Sequence, residues 1–215
     1  MRSSIPFVAM ATLLFAVAAE TTSASILYDN AGPSTGTTNA WGISFGISTA
    51  NSFEFLNPAT IYGANFVVWT YPGGTLKSID WAILSAPVGG TTYSSGSATG
   101  ITQTSRFLPM VDGYDVDTET FSIPSLALSA GTYWLLLQNA IVRNGDHIYW
   151  DQSDGPSQAW NSDIGYLGSY HGACDAPCTY SETFQILTPE PASFGLLAIG
   201  LFGLATIFRR ARSKA

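Results

Sequence analysis

Hydrophobic and polar residues alternate along much of the chain, which is the pattern of a β-strand that buries one face. Ile79, Trp81 and Ile83 are separated by single residues, so their side chains fall on one side of an extended segment. The run of apolar, β-branched and aromatic residues over 64–69 predicts a second strand. Residues 131–139 are apolar on both faces and predict a central strand.

Turn-forming residues separate these segments, and further strands are predicted at 147–151 and 184–187. The sequence Arg143-Asn144-Gly145-Asp146 contains an Asn-Gly pair, which predicts a β-hairpin. About ten short strands with regular turns, and no amphipathic helix, predict an all-β fold. The fold class that we expect is an antiparallel β-sandwich that is jelly-roll-like.

The C-terminal end has a different pattern, because residues 192–208 are apolar on all sides and carry no charge. As a helix this run of 17 residues would be about 26 Å long at about 1.5 Å per residue, enough to span a membrane. A buried core helix is the alternative, but such a helix is normally amphipathic. The basic tail that follows, 209–215, contains Arg209, Arg210, Arg212 and Lys214 and predicts a cytoplasmic end.

The N-terminal residues 1–24 predict a secretory signal peptide. Arg2 supplies the positive end, an apolar stretch follows, and Thr22-Ser23-Ala24 is the preferred cleavage site. Cleavage after Ala16-Val17-Ala18 and an uncleaved anchor helix are alternatives. Between the two apolar ends lie residues 25–188, which we expect to form one extracytoplasmic β-sandwich domain.

This central region is acidic: it contains 13 Asp and Glu residues but only Lys77, Arg106 and Arg143 as basic residues. A surface of this sign repels phosphate backbones, so no nucleic-acid partner is expected. It suits a soluble exported protein, and a cation binder is an alternative. Residues Cys174 and Cys178 predict a disulfide in an oxidising compartment, and a metal site that also uses His171 is the alternative.

The triplet Pro189-Glu190-Pro191 directly precedes the apolar run and its basic end. Two prolines fix φ and remove two backbone donors, so the triplet is extended and accessible to a protease. This three-part layout of residues 189–215 resembles the PEP-CTERM protein-sorting signal, although Thr188 stands where that family often has Val. An ordinary linker before a permanent membrane anchor is the alternative.

The resemblance implies a partner and a destination. An exosortase, which is a membrane-embedded cysteine protease-transpeptidase, would process the signal after the protein has been held transiently in the inner membrane. The final location would be the cell surface or extracellular matrix of a Gram-negative-type bacterium. The resemblance also implies a link to exopolysaccharide or biofilm, with a polysaccharide as a further partner.

Two clusters could bind a ligand. Asp115, Asp117 and Glu119 share one face of an extended segment, and they predict either a solvated acidic face or, less favoured, a calcium site. Residues 147–171 combine aromatic rings with carboxylates. Within them Trp150, Asp151, Asp154 and Trp160 are candidates for binding a sugar, and core packing of the aromatic residues is the favoured alternative.

Catalysis has little support in the sequence, because His147 and His171 stand in no nucleophile motif and there is no HExxH pair. We therefore expect an exported, non-enzymatic surface or matrix protein without a cofactor, calcium being the one possible exception. A carbohydrate- or calcium-binding module is the first alternative. A secreted glycan-active hydrolase, which would need two suitably spaced carboxylates, is the second.

Overall fold

The computed structural model describes residues 24–30, 39–163, 166–167 and 181–189. The predicted signal peptide before Ala24, the predicted membrane helix over 192–208, Cys174, Cys178 and His171 lie outside these residues. Every regular element in the described part of the chain is a β-strand. The predicted all-β class is therefore confirmed for this part of the protein.

Fourteen strands follow one another in the described residues: β1 (Ala24–Asp29), β2 (Ala40–Gly42), β3 (Ser48–Phe55), β4 (Ala59–Thr70), β5 (Leu76–Leu84), β6 (Thr92–Ala98), β7 (Thr102–Val111), β8 (Tyr114–Leu128), β9 (Gly131–Val142), β10 (Ile148–Ser153), β11 (Ala159–Asn161), β12 (Tyr166–Leu167), β13 (Ser181–Glu182) and β14 (Phe184–Pro189). They cover the segments that the alternation pattern predicts as strands. β4 contains residues 64–69, β10 begins one residue later than predicted, and β14 extends two residues further.

The first sheet has eight strands and is built around the long strand β4. One edge of β4 pairs antiparallel with β8 along nearly its whole length, from Ala59 opposite Leu128 to Thr70 opposite Asp115. The other edge is shared by two strands placed end to end, because β14 pairs with residues 63–66 and β10 with residues 68–70. β7 extends the sheet beyond β8, and β1 extends it beyond β14.

The second sheet has six strands in the order β12-β11-β3-β9-β5-β6, and all of its pairs are antiparallel. β9 lies in the middle, between β3 and β5. This confirms that residues 131–139, which are apolar on both faces, form a central strand. A strand with neighbours on both edges has its backbone donors and acceptors satisfied within the sheet.

Apolar side chains from both sheets form one buried cluster. The ring centroids of Trp81 on β5 and Phe121 on β8 lie 6.3 Å apart, and Phe53 on β3 lies 6.3 Å from Phe184 on β14. Each pair joins the second sheet to the first. The two antiparallel sheets therefore pack face to face as a sandwich, and the finer assignment to a jelly roll stays a prediction.

Alternation of buried residues is regular in β5, where Ile79, Trp81 and Ile83 all face the core as predicted. In β9 it changes phase: the residues that belong to the core between the sheets are odd-numbered up to Leu137 and even-numbered from Ala140 onward. Asn139 has a φ of 50° at this point, and its Nδ2 donates to Asp80 Oδ2 at 2.9 Å. One residue in a left-handed conformation thus lets both halves of the strand bury their apolar face.

The hairpin prediction at Asn144-Gly145 is wrong, because the strands it connects belong to different sheets. β9 lies in the second sheet and β10 in the first, so the turn carries the chain across the sandwich. Gly145 N–H donates to Val142 O at 3.0 Å. Gly145 has a positive φ but Asn144 does not, whereas a type I′ hairpin turn needs a positive φ at both central residues.

A type I′ hairpin does occur at Asp112-Gly113, which join β7 to β8. Asp112 has a φ of 48° and Gly113 a φ of 86°, and Val111 pairs with Tyr114 directly across the turn. Asp-Gly is a typical pair for this turn type, but the predictions from the sequence do not include a hairpin here. The turn fixes the register of β7 against β8.

Gly63 provides a test of the ladder between β4 and β8. A Cβ atom at this position would lie 2.5 Å from the backbone oxygen of Phe121, which the sheet holds in place. Gly63→Ala should therefore lower the free energy of unfolding by about 1–3 kcal/mol, as overpacked substitutions do. Gly100→Ala is the control, because its Cβ would meet nothing within 4 Å, and it should change stability by less than about 0.5 kcal/mol. Equal stability of both variants in urea denaturation would contradict this close approach.

Candidate functional site

The described chain ends at Pro189, the first residue of the predicted sorting motif, and this residue still belongs to β14. β14 lies between β1 and β4, so both of its edges are paired. Leu187 is 5% exposed, and Thr188 is partly buried. The motif therefore joins the sheet directly, without a linker. Glu190, Pro191 and the basic tail with Arg209, Arg210, Arg212 and Lys214 lie outside the described residues.

The register of β1 against β14 places Ala24 opposite Pro189 and Ser25 opposite Thr188. Ala24 is the residue after which signal-peptide cleavage is predicted. The two predicted processing points, one near each end of the chain, are thus attached to neighbouring positions on adjacent strands. The domain between them begins and ends at one corner of the first sheet.

The acidic row on β8 is buried, so the prediction of a solvated acidic face is wrong. Asp115, Asp117 and Glu119 are 6%, 2% and 3% exposed. Across the ladder, Glu119 lies opposite Phe66 and Asp117 lies opposite Val68. Phe66 and Val68 belong to the core, and residues opposite each other share a face, so the carboxylates lie on the inner face of the first sheet. The sequence alternation that placed them on one side was right, but that side faces inward.

Arg106 on β7 compensates this buried negative charge. Its Nε and Nη2 donate to the two carboxylate oxygens of Asp117 at 2.7 and 2.8 Å, and its Nη1 lies 2.9 Å from Asp115 Oδ2. Gly73 N–H also donates to Asp115, at 3.0 Å, and Gln103 Nε2 to Asp117, at 2.8 Å. The two aspartates thus bind protein donors at the positions where a calcium ion would need their oxygens. The described residues contain no group of three His, Cys, Asp or Glu side chains placed to hold a metal ion.

Glu119 is the least compensated member of the row. Burial, and then the negative charge of Asp117, raise the pKa of its carboxyl from 4.5 to about 7, against the opposing effect of Arg106. Glu182 on β13 has a similar environment, since burial and then Asp151 raise the pKa of its carboxyl well above the ordinary value. Both carboxyls therefore retain their protons to a higher pH in the folded protein than an ordinary carboxyl does.

The four candidates for a sugar site are not brought together. Trp150 is completely buried in the core, and its Nε1 donates to Thr183 O at 2.9 Å, so its ring has no free face. Asp151 is 1% exposed and accepts hydrogen bonds from Trp69 Nε1 and Thr183 Oγ1, each at 2.7 Å. Asp154 is exposed after the end of β10, whereas Trp160 is partly buried on β11 in the second sheet. Trp150 therefore packs in the core, which is the alternative that the sequence favours.

A different set of aromatic residues lies together on the outer face of the first sheet. We call it the aromatic row, and its members in spatial order are Phe45, His147, Tyr149, Tyr114 and Tyr71. Successive ring centroids are 4.3, 6.1, 5.9 and 4.9 Å apart. Phe45 is 65% exposed and Tyr71 is 40% exposed, so the ends of the row are open to solvent.

A small apolar cluster of Val67, Trp69 and Val116 supports the aromatic row from the sheet. Tyr114 and Tyr149 pack against this cluster, and the rings of Trp69 and Tyr114 lie 5.8 Å apart. Tyr114 Oη donates to Tyr71 Oη at 3.4 Å. This hydrogen bond and burial raise the pKa of Tyr114 to about 12, so its hydroxyl stays protonated at neutral pH.

A groove of about 360 Å³ adjoins the aromatic row at Phe45. Phe45 lines the groove together with Asn139, Ile141 and Asp146. Phe45 has a φ of 54°, a left-handed conformation that costs energy for a residue with a Cβ. Backbone strain of this kind is found at binding sites, and here it holds an exposed aromatic side chain.

Sequence reasoning found only part of the aromatic row. His147 and Tyr149 belong to the predicted cluster 147–171, but Phe45, Tyr71 and Tyr114 lie in other segments, at or next to turns. Tyr71 directly follows β4, and Tyr114 directly follows the Asp112-Gly113 turn. Assigning a hairpin to Asp112-Gly113 would have placed Tyr114 at the start of a strand. Their proximity to β10 depends on sheet order, which the sequence pattern does not specify.

Glu119 predicts how stability depends on pH. Because the folded protein favours the protonated form, its stabilising contribution is complete below the ordinary pKa and is lost as the pH rises through about 7. Glu119→Gln should therefore unfold with a free energy about 1–3 kcal/mol higher than wild type at pH 8, and with an equal free energy at pH 4. Glu54→Gln, at an exposed position on β3, is the control and should follow wild type throughout. A wild-type advantage at pH 8 in thermal denaturation would contradict the burial argument.

The comparisons with known proteins concern the C-terminal end of the chain. Residues 187–212 match the family described as PEP-CTERM protein-sorting motif, which confirms the resemblance found in the sequence. No curated protein and no solved structure matches the chain. Among the residues that the structure describes, no helix is both long and apolar enough to cross a membrane. The chain therefore carries a PEP-CTERM sorting motif that starts inside β14, and such a motif implies sorting through an exosortase system to the cell surface.

Proposed function

We propose that this protein is a non-enzymatic surface or matrix protein whose β-sandwich is exported, held briefly at the inner membrane and then released by an exosortase-like protease. The observation that carries the proposal is the match of residues 187–212 to the sorting motif, together with the continuity of that motif with β14. In this proposal the signal peptide 1–24 directs export. The apolar segment 192–208 and the basic tail then anchor the unprocessed chain.

The short connection between the sheet and the apolar segment supports this order of events. Only Glu190 and Pro191 lie between Pro189 and Ala192, and the three residue steps from Pro189 to Ala192 span at most about 10 Å when fully extended. An anchored domain would thus stay close to the bilayer, where an embedded protease acts. The two prolines at 189 and 191 favour an extended backbone at the processing point.

A role without catalysis is supported by the states of the polar candidates. His147 stacks beside Tyr149, with nearly parallel rings, and the carboxylates of Asp115 and Asp117 are bound to Arg106. Two carboxylates engaged in this way are poorly suited to acid–base catalysis or to calcium binding. In the proposal the domain acts through its surface, in the neighbourhood of exopolysaccharide, and it needs no cofactor.

The motif can be tested by replacing Pro189, Glu190 and Pro191 with alanine in a host that contains an exosortase. Wild-type protein should be recovered outside the inner membrane and shortened near the motif. The triple variant should be exported but remain full-length in the inner membrane, because the rigid extended substrate is lost while the apolar segment remains. Cell fractionation and intact-mass spectrometry measure both location and length.

Pro58→Ala is the matched control, since Pro58 is an exposed proline between β3 and β4 and lies outside the motif. It should be shortened and released like wild type. Recovery of wild-type protein from the surface with residues 192–215 still attached would show that the triplet is a linker and the helix a permanent anchor.

A further inference from the structure

We propose that the aromatic row binds a neutral polysaccharide chain along the outer face of the first sheet. This inference rests on the proposed function, because a protein displayed at a cell surface can act through binding alone. The row consists of Phe45, His147, Tyr149, Tyr114 and Tyr71, and the groove beside Phe45 continues it at one end.

The dimensions of the row suit a linear chain of sugar rings. The five side chains follow one another at 4.3–6.1 Å between ring centroids, a spacing comparable with the length of one sugar residue. The exposed rings of Phe45, His147 and Tyr71 offer apolar surface on which the C–H face of a sugar can stack. The tyrosines add hydroxyls for hydrogen bonding. A row of such rings allows several weak contacts to act together.

Sheet strands hold the middle of the row in place, which reduces the ordering required on binding. Tyr149 and Tyr114 lie on β10 and β8, and both pack on the cluster of Val67, Trp69 and Val116. The hydrogen bond from Trp69 Nε1 to Asp151, at 2.7 Å, fixes the ring beneath them.

Charge distinguishes a neutral chain from other polymers. The aromatic row contains no Lys or Arg, Asp146 lines the adjoining groove, and the chain carries a formal net charge of −7. An anionic polysaccharide or a nucleic acid would be repelled from this surface. Hydroxyl-rich neutral sugars need only the stacking faces and hydrogen-bonding groups that the row provides.

The test is affinity electrophoresis of the full-length chain in detergent, in native gels that contain hydroxyethylcellulose, dextran or alginate. Wild-type protein should be retarded by at least one of the two neutral polymers and not by alginate. The double variant Phe45→Ala/Tyr71→Ala should bind that polymer about tenfold more weakly or worse, because it removes two stacking faces. Tyr71→Phe keeps the ring and should retain most of the retardation.

Tyr93→Ala is the matched control, because Tyr93 is 45% exposed, close to the 40% of Tyr71, but lies on β6 in the second sheet. It should bind like wild type. Both residues of the double variant are at least 40% exposed, so its thermal unfolding midpoint should match that of wild type. Absence of retardation by both neutral polymers, retardation by alginate alone, or an equal loss in Tyr93→Ala would overturn the proposal. The assay does not depend on sorting, so failure here leaves the processing experiment to be judged separately.

Discussion

The ladder between β4 and β8 is the interaction on which the rest of the structure depends. It aligns the two strands over most of their length and gives each of its faces a different partner. On the inner face Phe66 and Phe121 contact each other and face the second sheet across the core. On the outer face Val67, Trp69 and Val116 support the aromatic row. Because the side-chain period of a strand is two, a register slip of one residue would expose the core and bury the row.

The same ladder explains why three carboxylates are buried. Residues 115–119 belong to β8, the strand that follows the Asp112-Gly113 turn. The alternation that puts Phe121 in the core therefore also points Asp115, Asp117 and Glu119 inward. A buried carboxylate requires a partner, and Arg106 on the neighbouring strand is in register with Asp117. Breaking such a pair leaves an uncompensated buried charge, so the arginine is needed because the acids are there.

Local sequence patterns predicted much of the fold but not its sheet order. The alternation at Ile79, Trp81 and Ile83 and the doubly apolar run 131–139 identified strands correctly, because burial of one or both faces leaves a direct mark on the sequence. Asn144-Gly145 misled because a turn signal does not state whether the next strand joins the same sheet. Trp150 was a candidate for a sugar-binding surface, but it is buried. The presence of a tryptophan in a strand does not show whether its side chain faces the core or the solvent. The aromatic row needs residues from four separate segments, and only the sheet order unites them.

The position of β14 also limits where the chain can be cut. Phe184 and Ile186 belong to the core, and residues 184–187 pair with residues 63–66 of β4. Removal of any of these residues would take apolar side chains from the core and leave an edge of β4 unpaired, which is costly. Cleavage beyond Pro189 removes no residue that pairs with β4. The Pro-Glu-Pro triplet therefore begins at the end of the strand that the core requires, and a cut beyond Pro189 would leave the pairing of β14 with β4 and the outer face of the first sheet unchanged.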